Sequence, residues 1–234
     1  RYPERGVTVV TSLAEGADQL VAEVAIKLGL PIVAPLPMRK EVYLEDFETG
    51  DARERFLSLL SQASEVFELP LSRNVESEDL LGDPAVRAFQ YAQLGVFLCA
   101  HCHILLALWD GKHSEDLGGT AQVVEFHHHD VMPGYTTRDR TGRLVLTDDE
   151  SDLVYHVVCS RNRPNGEPEE DLEPLTYAWF SSDPDRPRTR LMPARHAQVL
   201  ARTAEFSRDA VRFAEQIRDN AWSLIDEEQA GILP

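Results

Sequence analysis

Val7-Thr8-Val9-Val10-Thr11-Ser12-Leu13-Ala14-Glu15-Gly16-Ala17-Asp18 is the stretch that decides the fold of this chain. A β-branched run breaks into small and acidic residues, and a helical pattern opens behind them. Residues 7–11 read as a buried strand. Leu13, Ala17, Leu20, Val21, Val24, Ala25 and Leu28 then fall on one expected apolar stripe, and Gly29 stops the helix. Pro31-Ile32-Val33-Ala34-Pro35-Leu36 is the next strand. Two strands joined by one compact helix form a β-α-β unit, whose strands run parallel. The expectation is an α/β fold: a mostly parallel sheet with helices on both faces and a further helix at the C-terminus.

The same grammar recurs downstream. Ile104-Leu105-Leu106-Ala107-Leu108-Trp109-Asp110-Gly111 is a strand ending in small and acidic residues, and Gly118-Gly119-Thr120-Ala121 opens a helix to about His128. Residues 103–108 are the most apolar strand and are expected at the centre of the sheet. Between the two motifs lie a charged loop from Pro37, a helix over 51–62, a short strand over 65–69, a polar acidic stretch over 72–84 and a helix that Pro84 can open. After Asp130 come a hydrophilic stretch over 138–151 and one clear strand over 154–159. Residues 160–190, rich in Pro, Asp, Glu and Arg, read as an exposed excursion. The chain turns helical over 194–228, with Val199, Phe206, Ala210, Phe213, Ile217 and Trp222 on a stripe and a break expected near Asn220. The implied organisation is one domain over 1–160, the excursion over 161–193 and a helical connector over 194–234.

Open α/β sheets bind ligands at the carboxyl ends of their strands. Small residues there let a backbone approach a ligand, and helix N-terminal amides face anions. The candidate ligand-binding residues are therefore Ser12, Glu15 and Gly16 behind the first strand, and Asp110, Gly111, Gly118, Gly119 and Thr120 behind the later one. Gly118-Gly119-Thr120 is the best phosphate cradle. Asp110 suits a ribose hydroxyl, while Trp109 fits the core. Ser12 with Glu15 three residues later also matches a capping box, which would explain both without a ligand.

Composition narrows the function classes. The 234 residues carry a net charge of −17, which opposes tight non-specific binding to nucleic acid. No run of about 20 apolar residues is present. Three cysteines, Cys99, Cys102 and Cys159, make no disulfide framework and suit a reducing cytoplasm. His127-His128-His129 points its rings in different directions along a helix, and His101-Cys102-His103 enters a strand, so neither is expected to chelate a metal. No nucleophilic triad stands out. No catalytic residue, metal or cofactor is assigned.

Taken in order, Ser12 to Asp18, Pro35-Leu36-Pro37 with Tyr43 and Asp46-Phe47, Ala107 to Gly111 and Gly118 to Ala121 resemble the SLOG superfamily. This is the Rossmann-like group that unites the SMF/DprA and LOG proteins, and the resemblance covers roughly residues 7–160. It implies binding of a nucleotide or nucleotide derivative, often within bacterial defence or stress signalling. Relatives of this type often open with a strand ending in a Thr-Gly-His-Arg-like loop, which this chain lacks. Some carry a C-terminal membrane module of the SLATT type, for which the 194–228 helix would be a connector. That would tether the full protein at the inner face of the membrane. LOG-type phosphoribohydrolases place an acid three residues after the motif threonine. Here Val123 stands there and the first acid is Glu125, on a different helical face. The expectation is thus a ligand sensor whose partner is a nucleotide-derived small molecule, not nucleic acid, with homo-oligomerisation open. The alternatives are a LOG-like N-glycosidase using Glu15, Asp110 or Glu125, and a structural or oligomerisation module.

Overall fold

In a computed structural model, residues 6–72, 77–136, 153–162, 165–181 and 187–229 are described. The expected hydrophilic stretch over 138–151 lies outside them. Two compact units divide the chain, one over Val7–Met192 and one carrying the C-terminal segment from Pro193.

The first unit is α/β. Strand β1 (Val9–Val10) leads through helix α1 (Ala17–Lys27) to β2 (Ile32–Leu36). A short helix α2 (Lys40–Tyr43), a 3-10 turn over Leu44–Asp46 and helix α3 (Gly50–Gln62) lead to β3 (Glu65–Glu68). These strands form a parallel sheet in the order β1-β2-β3, with Val10 opposite Val33 and Ala34 opposite Val66. The parallel β-α-β unit read from the sequence is present. Local chemistry sets the helix starts. Thr49 accepts the Ala52 amide at 3.1 Å to cap α3, and Asp83 accepts the Ala85 amide at 2.8 Å just before Pro84.

The buried face of α1 differs from the expected stripe. Its buried residues are Gln19, Ala22 and Ala25, whereas Leu20, Val24 and Leu28 of the expected stripe are 51%, 45% and 67% exposed. Alanines let α1 and α3 approach closely, and Gln19 crosses that contact to donate to the Ala52 carbonyl at 3.0 Å. Larger side chains have no room there.

Helices α4 (Ser77–Gly82) and α5 (Pro84–His101) precede β4 (Leu105–Trp109), and α6 (Thr120–His129) follows it. Strand β5 (Val154–Val158) pairs parallel with β4, Ala107 opposite His156. The apolar strand β4 is not central: it ends a second sheet of order β4-β5-β6-β7, and Leu106 is 44% exposed. The single sheet expected from the sequence is therefore two hydrogen-bonded sheets among the described residues.

The excursion is also partly structured. Strand β6 (Tyr177–Phe180) runs antiparallel to β5, and β7 (Arg188–Thr189) is antiparallel to β6. Tyr177-Ala178-Trp179-Phe180 carries aromatic strand character that the surrounding Pro and acidic residues mask. Helix α7 (Ala194–Gln229) forms the second unit and passes through Asn220 without the expected break. No described helix is long and apolar enough to cross a membrane.

Candidate functional site

The loop after β1 is built by an unusual backbone. Leu13 takes a left-handed conformation, φ 60°, and Gly16 has φ 98°. Leucine in that region costs on the order of 1–2 kcal/mol, and such strain gathers where a site must be pre-shaped. Here it is offset by complete burial of the Leu13 side chain and by its amide donating to Thr11 Oγ1 at 3.2 Å. The turn aims two hydroxyls at one carboxylate oxygen. Thr11 donates to Asp18 Oδ2 at 2.7 Å and Ser12 donates to the same atom at 3.0 Å. Asp18 lies in the first turn of α1, where the helix dipole favours a negative charge.

The capping box read from Ser12 and Glu15 does not form. Gly16 is the N-cap and carries no side-chain cap. Glu15 is exposed and accepts the Glu48 amide at 3.0 Å, 33 residues away. The sharp turn at Leu13 and Gly16 carries both side chains away from the α1 amides.

Two tyrosines extend the cluster. Tyr43, buried in α2, donates its hydroxyl to Ser12 Oγ at 3.5 Å. Its ring meets Phe47 and Phe56 edge-on at 5.2 and 5.5 Å, and Tyr91 of α5 at 6.3 Å. Tyr91 donates to Asp46 Oδ2, while Arg87 donates to Asp46 Oδ1 at 2.7 Å and to the Val42 and Leu80 carbonyls. Burial pushes both phenols well above their ordinary pKa. They remain neutral donors and do not serve as bases. Tyr43 and Asp46 are among the residues on which the family resemblance rests. Tyr91 and Arg87, within the helix opened by Pro84, carried no signal in the sequence.

Gly118 bridges this cluster to the second motif. A Cβ on Gly118 would lie 2.6 Å from the Ala92 nitrogen and 2.8 Å from Tyr91 Cβ, and its φ is +77°. Only glycine permits that approach. The Gly119 amide is taken by the Asp116 carbonyl at 2.9 Å. The phosphate-cradle reading therefore narrows to the first amides of α6, from the exposed Thr120 onward. Ser12 thus contacts Tyr43, whose ring lies 6.3 Å from that of Tyr91; Gly118 packs on the backbone of Tyr91 and Ala92, and Gly119 and Thr120 follow at the start of α6.

Asp110 and Gly111 are placed differently from their expected ligand role. Asp110 is 2% exposed. Its Oδ2 pairs with Arg161 Nε at 2.7 Å, and its Oδ1 accepts the Lys112 amide at 3.2 Å. Both oxygens are committed. The Glu169 amide bonds the Asp110 carbonyl at 2.8 Å, and a Cβ on Gly111 would strike Leu172 at 2.3 Å. Residues 169–172, from the supposed excursion, cover this turn. Trp109 is in the core, as its apolar strand implies, and donates to the Lys112 carbonyl at 3.1 Å.

Other candidates stay separate. Glu125 faces outward and pairs with His129 at 4.0 Å, both side chains about half exposed. His128 packs edge-on against Phe180 at 4.6 Å, and His101 stacks on Phe97 at 4.0 Å. Among the described residues no group of three His, Cys, Asp or Glu has metal-site geometry. Burial raises the Cys99 thiol strongly and the Cys102 thiol to about 11, so neither supplies a thiolate near neutral pH. A groove of about 650 Å³ runs beside β3, lined by Leu36, Lys40, Leu57, Leu60, Phe67 and Glu68. It includes none of the ligand-binding residues expected from the sequence.

No protein-family model matches the chain, and no curated protein is significantly similar to it.

Proposed function

We propose that residues 7–192 bind a nucleotide or nucleotide derivative at the loop after β1, with the N-terminus of α6 facing its phosphate. The observation that supports this most is the convergence of Thr11 and Ser12 on Asp18, joined by Tyr43 and Tyr91 to Gly118. Although β1 and β4 belong to different sheets, each loop follows the carboxyl end of a parallel strand, where α/β folds place their ligand crevices. In this reading Asp18 uses its second oxygen to accept a ribose hydroxyl. Thr120 and the amides behind it meet the phosphate, where the helix dipole favours an anion. The domain acts as a cytoplasmic sensor of the bacterial defence or stress type, with α7 as its connector to an effector or membrane module.

The glycosidase alternative needs a carboxylic acid beside the ligand. Glu15 is engaged by the Glu48 amide, and Glu125, about half exposed on α6, has only a long 4.0 Å contact with His129. That arrangement favours binding without turnover.

Calorimetry with nucleotides, dinucleotides and ADP-ribose species tests the reading. Binding should weaken in Asp18→Asn and in Gly119→Glu, the second more, because a carboxylate would occupy the phosphate space. Chromatography of the same mixtures should show intact ligand. Release of free base would favour the glycosidase. Silence across the panel would favour a structural module.

A further inference from the structure

Helix α7 holds an unpartnered seam. From Glu205 to Arg218 every residue is exposed, on all sides of the helix. Within that span Phe206, Phe213 and Ile217 are 73%, 64% and 56% exposed. A lone helix with bare phenylalanines is marginal in water, because helices draw their stability from packing an apolar face. Val211, 59% exposed, lies off any common stripe, but the three larger residues fall on one. Val199, Thr203, Phe206, Ala210, Phe213 and Ile217 are spaced alternately four and three apart. This is the 3.5-residue period of a coiled-coil seam. Thr203 donates its hydroxyl to the Val199 carbonyl at 2.9 Å, and both residues are partly buried, so the bare part of the stripe runs from Phe206 to Ile217.

We infer that α7 pairs antiparallel with α7 of a second copy of this chain. The order of residue sizes selects the orientation. A parallel pair would stack Phe206 on Phe206, Ala210 on Ala210 and Phe213 on Phe213. Wide and narrow layers would then alternate along two helices that keep a nearly constant separation. An antiparallel pair that sets Ala210 against the partner's Phe213 also sets Phe206 against the partner's Ile217, and the two-fold axis repeats both contacts. Large meets small in the central layers, which fills the seam evenly. In sequence, the same register sets position 203 opposite 220 and position 199 opposite 224.

Charge favours a second copy over a membrane surface. Between residues 202 and 219, four arginines (202, 208, 212, 218) match four acids (205, 209, 215, 219), although the whole chain carries −17. Two such helices do not repel, whereas a membrane-surface helix carries a basic polar face. The area is also adequate. Two phenylalanines from each copy bury on the order of 600 Å², about half of the roughly 1,200 Å² of a small stable interface. Ile217 and Ala210 add to this from each copy. This inference is independent of the ligand proposed for residues 7–192.

Analytical ultracentrifugation of the full chain at micromolar concentration should give twice the 26.3 kDa protomer mass. Phe206→Glu and, separately, Ile217→Glu should each return a monomer with an unchanged thermal midpoint for the α/β unit, since both side chains are exposed in the single chain. Orientation is read by oxidative cross-linking against wild type. Chains carrying Val199→Cys mixed with chains carrying Leu224→Cys should form a mixed disulfide. Val199→Cys alone should not form one, because 25 residues of helix, roughly 37 Å, separate the two copies of that position. A monomeric wild-type chain, a dimer that survives both glutamates, or sedimentation with anionic vesicles in place of self-association would overturn the inference. A Val199→Cys homodimer would overturn the orientation.

Discussion

The loops after β1 and β4 look alike in sequence, each an apolar strand breaking into small and acidic residues before a helix. They are used in opposite ways. Behind β1, strain at Leu13 gathers Thr11 and Ser12 on Asp18, leaving a half-exposed carboxylate with a tyrosine behind it. Behind β4, Asp110 is sealed by Arg161 and the Lys112 amide, Gly111 sits under Leu172, and Gly118 lies against the backbone of α5. The first loop presents polar atoms, and the second consumes its own to hold the fold together. An acid after a strand is thus a ligand candidate only if one of its oxygens is left over, as at Asp18, where both hydroxyls converge on Oδ2. Arg161 lies 51 positions from Asp110, beyond any local motif.

The sharpest way to break this contrast is Gly118→Ala. The new methyl would meet the Ala92 nitrogen at 2.6 Å at a φ of +77°. Overpacking against immobile backbone and an unfavourable φ together predict a loss of about 3 kcal/mol in chemical denaturation. A loss below about 1 kcal/mol would mean that α5 and this loop do not depend on each other. Next comes the pair of aspartates. Asp110→Asn removes a charged partner from Arg161, whose side chain is 32% exposed and so partly solvated. The expected cost is about 2 kcal/mol, with little change in ligand affinity. Asp18→Asn should do the reverse, lowering affinity about tenfold while changing stability by less than about 1 kcal/mol. Equal behaviour of the two variants would erase the distinction between the loops.

Much of this was legible in the sequence, for physical reasons. The β-branched run at 7–11 and the apolar run at 31–36 each had one plausible state, and the helix between them fixed a parallel pairing. The buried face of α1 was not legible, because Gln19 and two alanines outcompeted leucines through close approach to α3. The site was half legible. Ser12 and the glycines announced themselves by position. Tyr91, Arg87 and Arg161 did not, since their roles come from contacts 41 to 51 residues away. The covering segment 165–180 was hidden by its Pro and acidic content, which resembles a solvated loop in isolation.

A smaller effect is expected from pH, and it probes the sealed side. His156 is fully buried; its Nε2 bonds the Trp109 carbonyl at 3.0 Å, and its Nδ1 accepts from Arg188. Arg188 also lies 4.4 Å over the Phe180 ring, and Asp110 is near enough to pull the other way. Burial lowers the His156 pKa, with Arg188 adding to it against the carbonyl and Asp110. The unfolded chain, with an ordinary value of about 6.5, therefore binds the proton first. Stability is full above that value and falls as pH drops through it. Denaturation at pH 7.5 and 5.5 should show this decline in the wild type and less of it in His156→Gln. An unchanged slope in the variant would assign the decline to other groups.

Glu15→Ala should change stability least and still sharpen the contrast. Its carboxylate is exposed and accepts one amide, that of Glu48, at 3.0 Å. Loss of an exposed bond of this kind costs a few tenths of a kcal/mol, because water replaces the acceptor. The thermal midpoint should barely move. Ligand affinity should fall modestly, by less than in Asp18→Asn, since Glu15 only braces the loop through residue 48. The variant also separates binding from hydrolysis. If the loop after β1 only binds, Glu15→Ala leaves ligand as intact as the wild type does, on any timescale sampled. If Glu15 protonates a leaving base, the wild type releases that base and the variant loses release by orders of magnitude at nearly unchanged affinity. The hydroxyl–carboxylate cluster would then be the substrate-holding half of an active site, and the loop after β1 would carry the chemistry as well as the recognition.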